Sequence, residues 1–115
     1  MTTFRPKFIT FDCYGTLTHF DMAGASRRIY SETLSPDVME AFIRSFAAYR
    51  MDEILGAWKP YSDVVAGALE RTCKLHHVPF RTEDALQIYN EVPTWGPHPD
   101  VPAGLARVAK DIPLV

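Results

Sequence analysis

Near its amino terminus the chain reads Phe8-Ile9-Thr10-Phe11-Asp12-Cys13-Tyr14-Gly15-Thr16-Leu17, an apolar run that leads into an acid and a turn. The apolar run is short, rich in residues that favour β-strands, and bounded by Pro6 and Gly15. Such a run is typical of a central parallel strand that is buried on both faces. Since open α/β sheets bind ligands at the carboxyl ends of their strands, Asp12 is expected at a ligand-binding edge.

Downstream of this run, from about Met22 to Val92, the hydrophobic spacing becomes helical. A helix start is predicted at Ser35-Pro36-Asp37, which combines a hydroxyl N-cap, a proline in the first turn and an acid at the positive end of the helix dipole. Apolar residues then recur at spacings of three and four until Gly56. Further helices are predicted near 22–32, from Tyr61 or Ser62, and from Thr82 to about Val92.

The last part of the chain is predicted to contain a helix and then the start of a second strand. Asp100 is placed to cap a final helix, and Ile112-Pro113-Leu114-Val115 has the composition of a strand that is just beginning. Because a stable sheet needs three or more strands, we expect the front part of a larger α/β protein, cut inside its second strand.

The composition is that of an ordinary globular domain and excludes several classes of function. The chain has 115 residues, of which 47% are hydrophobic and 23% are charged. Its net charge of −2 provides no basic surface for binding nucleic acid. No apolar stretch approaches the roughly 20 residues of a membrane span. Cys13 and Cys73 lack metal-type spacing, so they are predicted to be reduced thiols in a cytoplasmic protein.

The turn after the apolar run carries groups that can stabilise negative charge. Gly15 lets the backbone turn sharply, and the Thr16 hydroxyl can hold the turn. The amides just after Asp12 are expected to stabilise developing negative charge, as an oxyanion hole does. The alternative, which the sequence leaves open, is that Asp12 is an ordinary acidic residue in a surface turn.

The motif Phe11-Asp12-x-Tyr14-Gly15-Thr16-Leu17 resembles the first motif of the haloacid dehalogenase superfamily, in its 2-haloacid dehalogenase branch. The resemblance implies that Asp12 is the nucleophile and that Cys13 and Tyr14 lie beside the substrate. Phosphatases of the superfamily carry a second aspartate, a general acid, where this chain has Tyr14. A phenol with a pKa near 10 is a poor acid at pH 7, whereas a halide leaves without a proton. The motif therefore favours carbon–halogen cleavage, with no metal and no cofactor.

The resemblance also concerns the fold. It implies a Rossmann-like parallel-sheet core with an inserted helical cap, truncated here within the second core strand. The predicted segments are 1–18 for the first core strand and the nucleophile loop, 19–97 for the helical cap, and 98–115 for the core helix and the start of the second core strand.

In these dehalogenases the first long helix of the cap carries an arginine that faces the active site. Ala41-Phe42-Ile43-Arg44-Ser45-Phe46 is similar to that region, and its apolar neighbours are expected to draw Arg44 toward a buried surface. There the guanidinium would bind the substrate carboxylate or the departing halide. The alternative is an arginine that extends to solvent at the edge of the cap. Arg50, Arg27 and Arg28 are rival candidates.

The activity implied by the resemblance is hydrolytic dehalogenation of short 2-haloalkanoic acids to 2-hydroxy acids through an aspartyl ester on Asp12. Residues that activate water are expected after Val115, so the segment by itself is expected to be inactive in turnover, because hydrolysis of the ester lacks its base. The expected partners are a small 2-haloacid and halide, without nucleic acid or membrane, and the apolar helix faces are compatible with a homodimer. The alternatives are a phosphatase of the same superfamily and a non-catalytic helical interaction module that keeps a relic of the motif.

Overall fold

The computed structural model describes residues 3–115, and in this range it has five α-helices and one short 3-10 helix. The α-helices are α1 (Met22–Tyr30), α2 (Pro36–Leu55), α3 (Tyr61–Leu75), α4 (Thr82–Glu91) and α5 (Val101–Ala109), and the 3-10 helix is Val92–Thr94. The chain divides into two compact units. One comprises Asp21–Thr94, and the other comprises the described residues up to Phe20 together with Trp95–Val115.

The predicted bounds of the longest helix are confirmed. Helix α2 begins at Pro36, next to its N-cap Ser35, and ends before Gly56. The proline and the acid of its first turn are placed as predicted, but the Ser35 side chain makes no capping hydrogen bond. Although α2 has 20 residues, no helix within residues 3–115 is long and apolar enough to cross a membrane.

Helices α1 to α4 form the first unit, which we call the helical unit, and enclose its core. Helix α2 packs along α3, α3 packs on α4, and α1 contacts both α2 and α4. The largest fully buried apolar side chains of this core are Phe42, Phe46, Leu69, Ile88 and Val65. Nearly every buried residue of the described chain lies in this unit, so its stability comes from the packing of α-helices.

The second unit, which we call the loop unit, has almost no core. No residue of α5 is buried, and Trp95 is the one buried residue of this unit among residues 3–115. Its ring packs against Phe20, with ring centroids 5.4 Å apart. An open apolar groove beside α5 is lined by residues that include Phe11, Leu105 and Val108.

The predicted α/β fold, with its Rossmann-like parallel-sheet core, is wrong for this structure. Residues 3–115 contain helices and no sheet, and the β-structure present consists of isolated bridges. Ile9 and Leu114 form one parallel bridge, so the two predicted strands meet at a single point. Phe8 and Phe11 are 59% and 37% exposed, and therefore the run is not buried on both faces. Since residues 3–115 place no third strand beside it, the pair cannot cover its apolar side chains as a sheet would.

Candidate functional site

A tight loop carries the predicted nucleophile motif. The carbonyl oxygen of Cys13 accepts hydrogen bonds from the amides of Thr16, Leu17 and Thr18 at 3.1, 2.8 and 3.1 Å. The Gly15 amide donates in turn to the carbonyl oxygen of Thr18 at 3.0 Å. These four bonds fold the chain back on itself directly after the strand-like run.

Gly15 occupies the position where the loop needs an unusual backbone conformation. Its φ is +81°, in the left-handed region that disfavours residues with a Cβ atom. An added Cβ would meet only the Phe20 Cβ, at 3.8 Å, which is an ordinary contact. The requirement for glycine is therefore conformational and not a matter of space, as the sequence predicted.

Replacing Gly15 with alanine is expected to destabilise the loop by about 1–2 kcal/mol, the cost of a left-handed conformation for an L-residue. Hydrogen exchange of the Leu17 amide should then become roughly tenfold faster. The control is Gly104→Ala in α5, where a Cβ meets nothing within 4 Å and helix propensity favours alanine. Equal exchange rates in Gly15→Ala and the unsubstituted chain would contradict this explanation.

The Asp12 carboxylate is held by one of its two oxygens. The Thr16 hydroxyl donates to Asp12 Oδ2 at 2.6 Å, and the Asp12 side chain is exposed to solvent. Within residues 3–115, Asp12 Oδ1 accepts no hydrogen bond, and the amides of Cys13 and Tyr14 donate none. The loop thus combines a fixed carboxylate that has one open oxygen with two unused amides next to it.

A second segment, which includes Gly96 and His98, is hydrogen-bonded to the end of the loop. The His19 amide donates to the Gly96 carbonyl at 2.9 Å, and the His98 amide donates to the Leu17 carbonyl at 3.1 Å. The rings of His19 and His98 pack edge to face, with centroids 4.4 Å apart. This pairing joins residues that are far apart in sequence, and no local pattern in the proline-rich stretch predicts it.

The structure places the predicted site residues in both units. Asp12, Cys13, Tyr14, Gly15 and Thr16 lie together in the loop, and all five are exposed. Arg44 lies in the helical unit, on α2.

The expectation that Arg44 is drawn toward a buried surface is wrong, because Arg44 is exposed. The arginine on the buried face of α2 is Arg50, which is 9% exposed. Its guanidinium carbon lies 4.4 Å from the centroid of the Phe46 ring, and burial lowers the pKa of Arg50. The sequence carried a signal for this position, since Arg50 follows the core residue Phe46 by one helical turn.

The two cysteines have different environments. Both are free thiols; Cys13 is exposed in the loop and Cys73 is buried on α3. Burial raises the pKa of the Cys73 thiol, which keeps it protonated as a small core side chain. In the part of the chain that the structure describes, no cluster of three or more His, Cys, Asp or Glu side chains is arranged to hold a metal ion.

The function of the loop has to be inferred from the chemistry of its own residues. The chain matches no protein-family model and no curated protein. The features that bear on function are therefore the open carboxylate oxygen of Asp12, the hydrogen bond from Thr16, and the unused amides of Cys13 and Tyr14.

Proposed function

We propose that Asp12 is the nucleophile in the hydrolytic dehalogenation of short 2-haloalkanoic acids to 2-hydroxy acids. The observation that carries the proposal is the hydrogen bond from Thr16 Oγ1 to Asp12 Oδ2, which orients the carboxylate and leaves Oδ1 open. The resemblance of the motif to the 2-haloacid dehalogenases supports it as well. This activity needs an oriented carboxylate, donors for negative charge and a cation for the substrate, and none of these depends on a sheet.

The first step is a displacement at carbon. Asp12 Oδ1 forms a bond to C2 of the substrate while the carbon–halogen bond breaks, and the halide leaves with the bonding electron pair. The product is an ester between Asp12 and the 2-position of the acid, with Oδ2 as the ester carbonyl oxygen. Covalent catalysis of this kind replaces one difficult displacement by two easier steps.

The second step is hydrolysis of the ester at its carbonyl carbon. Water attacks Cγ of Asp12, and the negative charge then develops on Oδ2, which already accepts a hydrogen bond from Thr16. The unused amides of Cys13 and Tyr14 are the further donors available in the loop for this charge. The bond from Cγ to Oδ1 breaks, and one proton of the water passes to Oδ1 and the other to solvent. The 2-hydroxy acid therefore leaves with Oδ1, and Asp12 is restored as a carboxylate that retains the oxygen from water.

Arg44 is proposed to bind the substrate carboxylate or the departing halide. It is exposed, and its guanidinium makes no ion pair with any side chain in residues 3–115. A guanidinium can bind a carboxylate through two parallel hydrogen bonds, which fixes the orientation of the acid. The displacement itself needs neither a metal nor an organic cofactor.

The presence of Tyr14 favours dehalogenation over phosphoryl transfer. It occupies the position where the phosphatases of the superfamily carry a second aspartate, and the residue is 52% exposed. An alkoxide leaving group needs a proton donor at neutral pH, which a phenol supplies poorly, whereas a halide needs none.

We also propose a cytoplasmic location. Both Cys13 and Cys73 are free thiols, and reducing compartments keep cysteines in that state.

The proposed activity is tested by comparing two substrates in the same preparation. The chain is incubated with 2-chloropropionate in the presence of a chelator, and separately with p-nitrophenyl phosphate and Mg²⁺. We expect chloride release of at least one equivalent per chain, because formation of the ester alone releases one halide. Mg²⁺-dependent phosphate release without chloride would identify a phosphatase, and the absence of both products would identify a non-catalytic module; either result contradicts the proposal.

Replacing Arg44 with alanine is expected to slow chloride release by about ten- to a hundredfold, because a charge-assisted hydrogen bond to the substrate is lost. Since Arg44 is exposed, the free energy of unfolding should hardly change. The matched control is Arg81→Ala, which removes another exposed arginine that makes only a 3.9 Å ion pair with Asp84. An unchanged rate in Arg44→Ala would remove Arg44 from the site.

A further inference from the structure

Two histidines lie on one face of the short pairing that joins the end of the loop to the second segment. Thr18 and Pro97 form an antiparallel bridge in this pairing. Hydrogen bonds donated by the backbone amides of His19 and His98 flank the bridge, one on each side. In this register His19 and His98 are diagonal neighbours, so their side chains share a face and their rings come into contact.

The ring nitrogens of both histidines are available to a ligand. Within residues 3–115 neither ring makes a hydrogen bond or an ion pair, whereas the ring of His76 is bonded to the Ser45 hydroxyl at 2.9 Å. His19 is exposed and His98 is half-buried, so an ion from solvent can reach both rings. Neutral imidazole nitrogens are common ligands of zinc, nickel and copper ions.

The separation of the two rings is close to that of imidazoles that share one metal ion. When each nitrogen lies about 2.0–2.1 Å from the ion and the two bonds meet at a right angle, the ring centroids are roughly 4.6 Å apart. The centroids of His19 and His98 are 4.4 Å apart. The present edge-to-face packing is held by no hydrogen bond of either ring, so a rotation of the side chains can turn one nitrogen of each toward the ion.

We propose that His19 and His98 together bind one divalent transition-metal ion, such as Zn²⁺, Ni²⁺ or Cu²⁺, each through one imidazole nitrogen. In the part of the chain that the structure describes, no third His, Cys, Asp or Glu side chain completes the set, so water occupies the remaining positions of the ion. The ion links two segments that are distant in sequence and fastens the loop that carries Asp12 to the second segment. This role is structural, and the displacement proposed above takes place without the ion.

The proposal is tested by isothermal titration of the whole chain with Ni²⁺ alone, an ion that does not oxidise the exposed thiol of Cys13. We expect one ion per chain. Either His19→Asn or His98→Asn should raise the dissociation constant at least about tenfold, because one of the two ligands is lost. The matched control is His77→Asn, which removes another exposed histidine at a φ of +56° that asparagine tolerates. This control and Cys13→Ser should both bind Ni²⁺ as the unsubstituted chain does.

Hydrogen exchange of the unsubstituted chain shows whether the ion fastens the two segments. Opening of the pairing separates the two rings, so at free Ni²⁺ of about 100 times Kd the His19 and His98 amides should exchange at least about tenfold more slowly. A chelator should reverse the effect, and the Val78 amide, which donates to the Cys73 carbonyl in the helical unit, should keep its rate. Absence of Ni²⁺ binding at high micromolar concentration, an equal loss in His77→Asn or Cys13→Ser, or unchanged exchange at saturation would each overturn the proposal.

Discussion

The variant Asp12→Asn is expected to release chloride from 2-chloropropionate at a rate at least about 10⁴-fold below that of the unsubstituted chain. An amide has nearly the same shape as a carboxylate but is not a nucleophile, so the displacement step is lost. The Thr16 hydroxyl can still donate to the remaining carbonyl oxygen, and the loop should therefore keep its conformation. Chloride release measured over time with excess substrate gives the rate.

The matched control for this variant is Asp100→Asn. Asp100 belongs to the same unit as Asp12, and its side chain makes no capping hydrogen bond at the start of α5. Its substitution removes the same charge outside the loop and should leave the rate unchanged. Substantial chloride release by Asp12→Asn, or equal losses in the two variants, would show that Asp12 is not the nucleophile.

The largest expected effect on stability is that of Phe42→Ala, which should lower the free energy of unfolding by about 3–5 kcal/mol. Phe42 is fully buried, and its ring centroid lies 4.8 Å from that of Tyr30 and 5.6 Å from that of His76. Truncation would leave a cavity where α1, α2 and the end of α3 meet. Urea denaturation followed by circular dichroism measures the change.

The control for the core variant is Leu86→Ala on α4. Leu86 is also a large apolar residue of the helical unit, but it is 56% exposed, so its truncation should cost less than about 1 kcal/mol. A cost below about 1 kcal/mol for Phe42→Ala as well would contradict the described packing of Phe42.

The helices were predictable because their signals are local. Pro36 and Asp37 mark the start of α2, Gly56 marks its end, and the spacing of Met39, Phe42 and Phe46 defines its buried face. The same spacing rule places Arg50 on that face, whereas the similarity of a short segment to a cap helix favoured Arg44.

The fold class was not predictable in the same way, because a sheet depends on partners that lie elsewhere. The residues Phe8 to Phe11 have the composition of a buried strand, yet only Ile9 among them forms a bridge. A strand prediction assumes that neighbouring strands cover the apolar side chains, and in the described residues no third strand does so.

The candidate site shows the same difference between local and distant contacts. The need for glycine at position 15 follows from a turn signal, and the structure gives that residue a φ of +81°. The bond from Thr16 joins two residues four positions apart. The support of the loop by Gly96 and His98 depends on a distant segment, so only the structure reveals it.

The most direct test of the nucleophile is mass spectrometry of the peptide that contains Asp12 after a single turnover in ¹⁸O-water, with the chain in excess over 2-chloropropionate. Attack by Asp12 predicts a modified peptide: it carries one ¹⁸O after hydrolysis, or the ester itself where hydrolysis is slow, and the 2-hydroxy acid is unlabelled. An unmodified peptide together with ¹⁸O in the 2-hydroxy acid would mean that water attacks the substrate directly, which contradicts the proposed covalent mechanism.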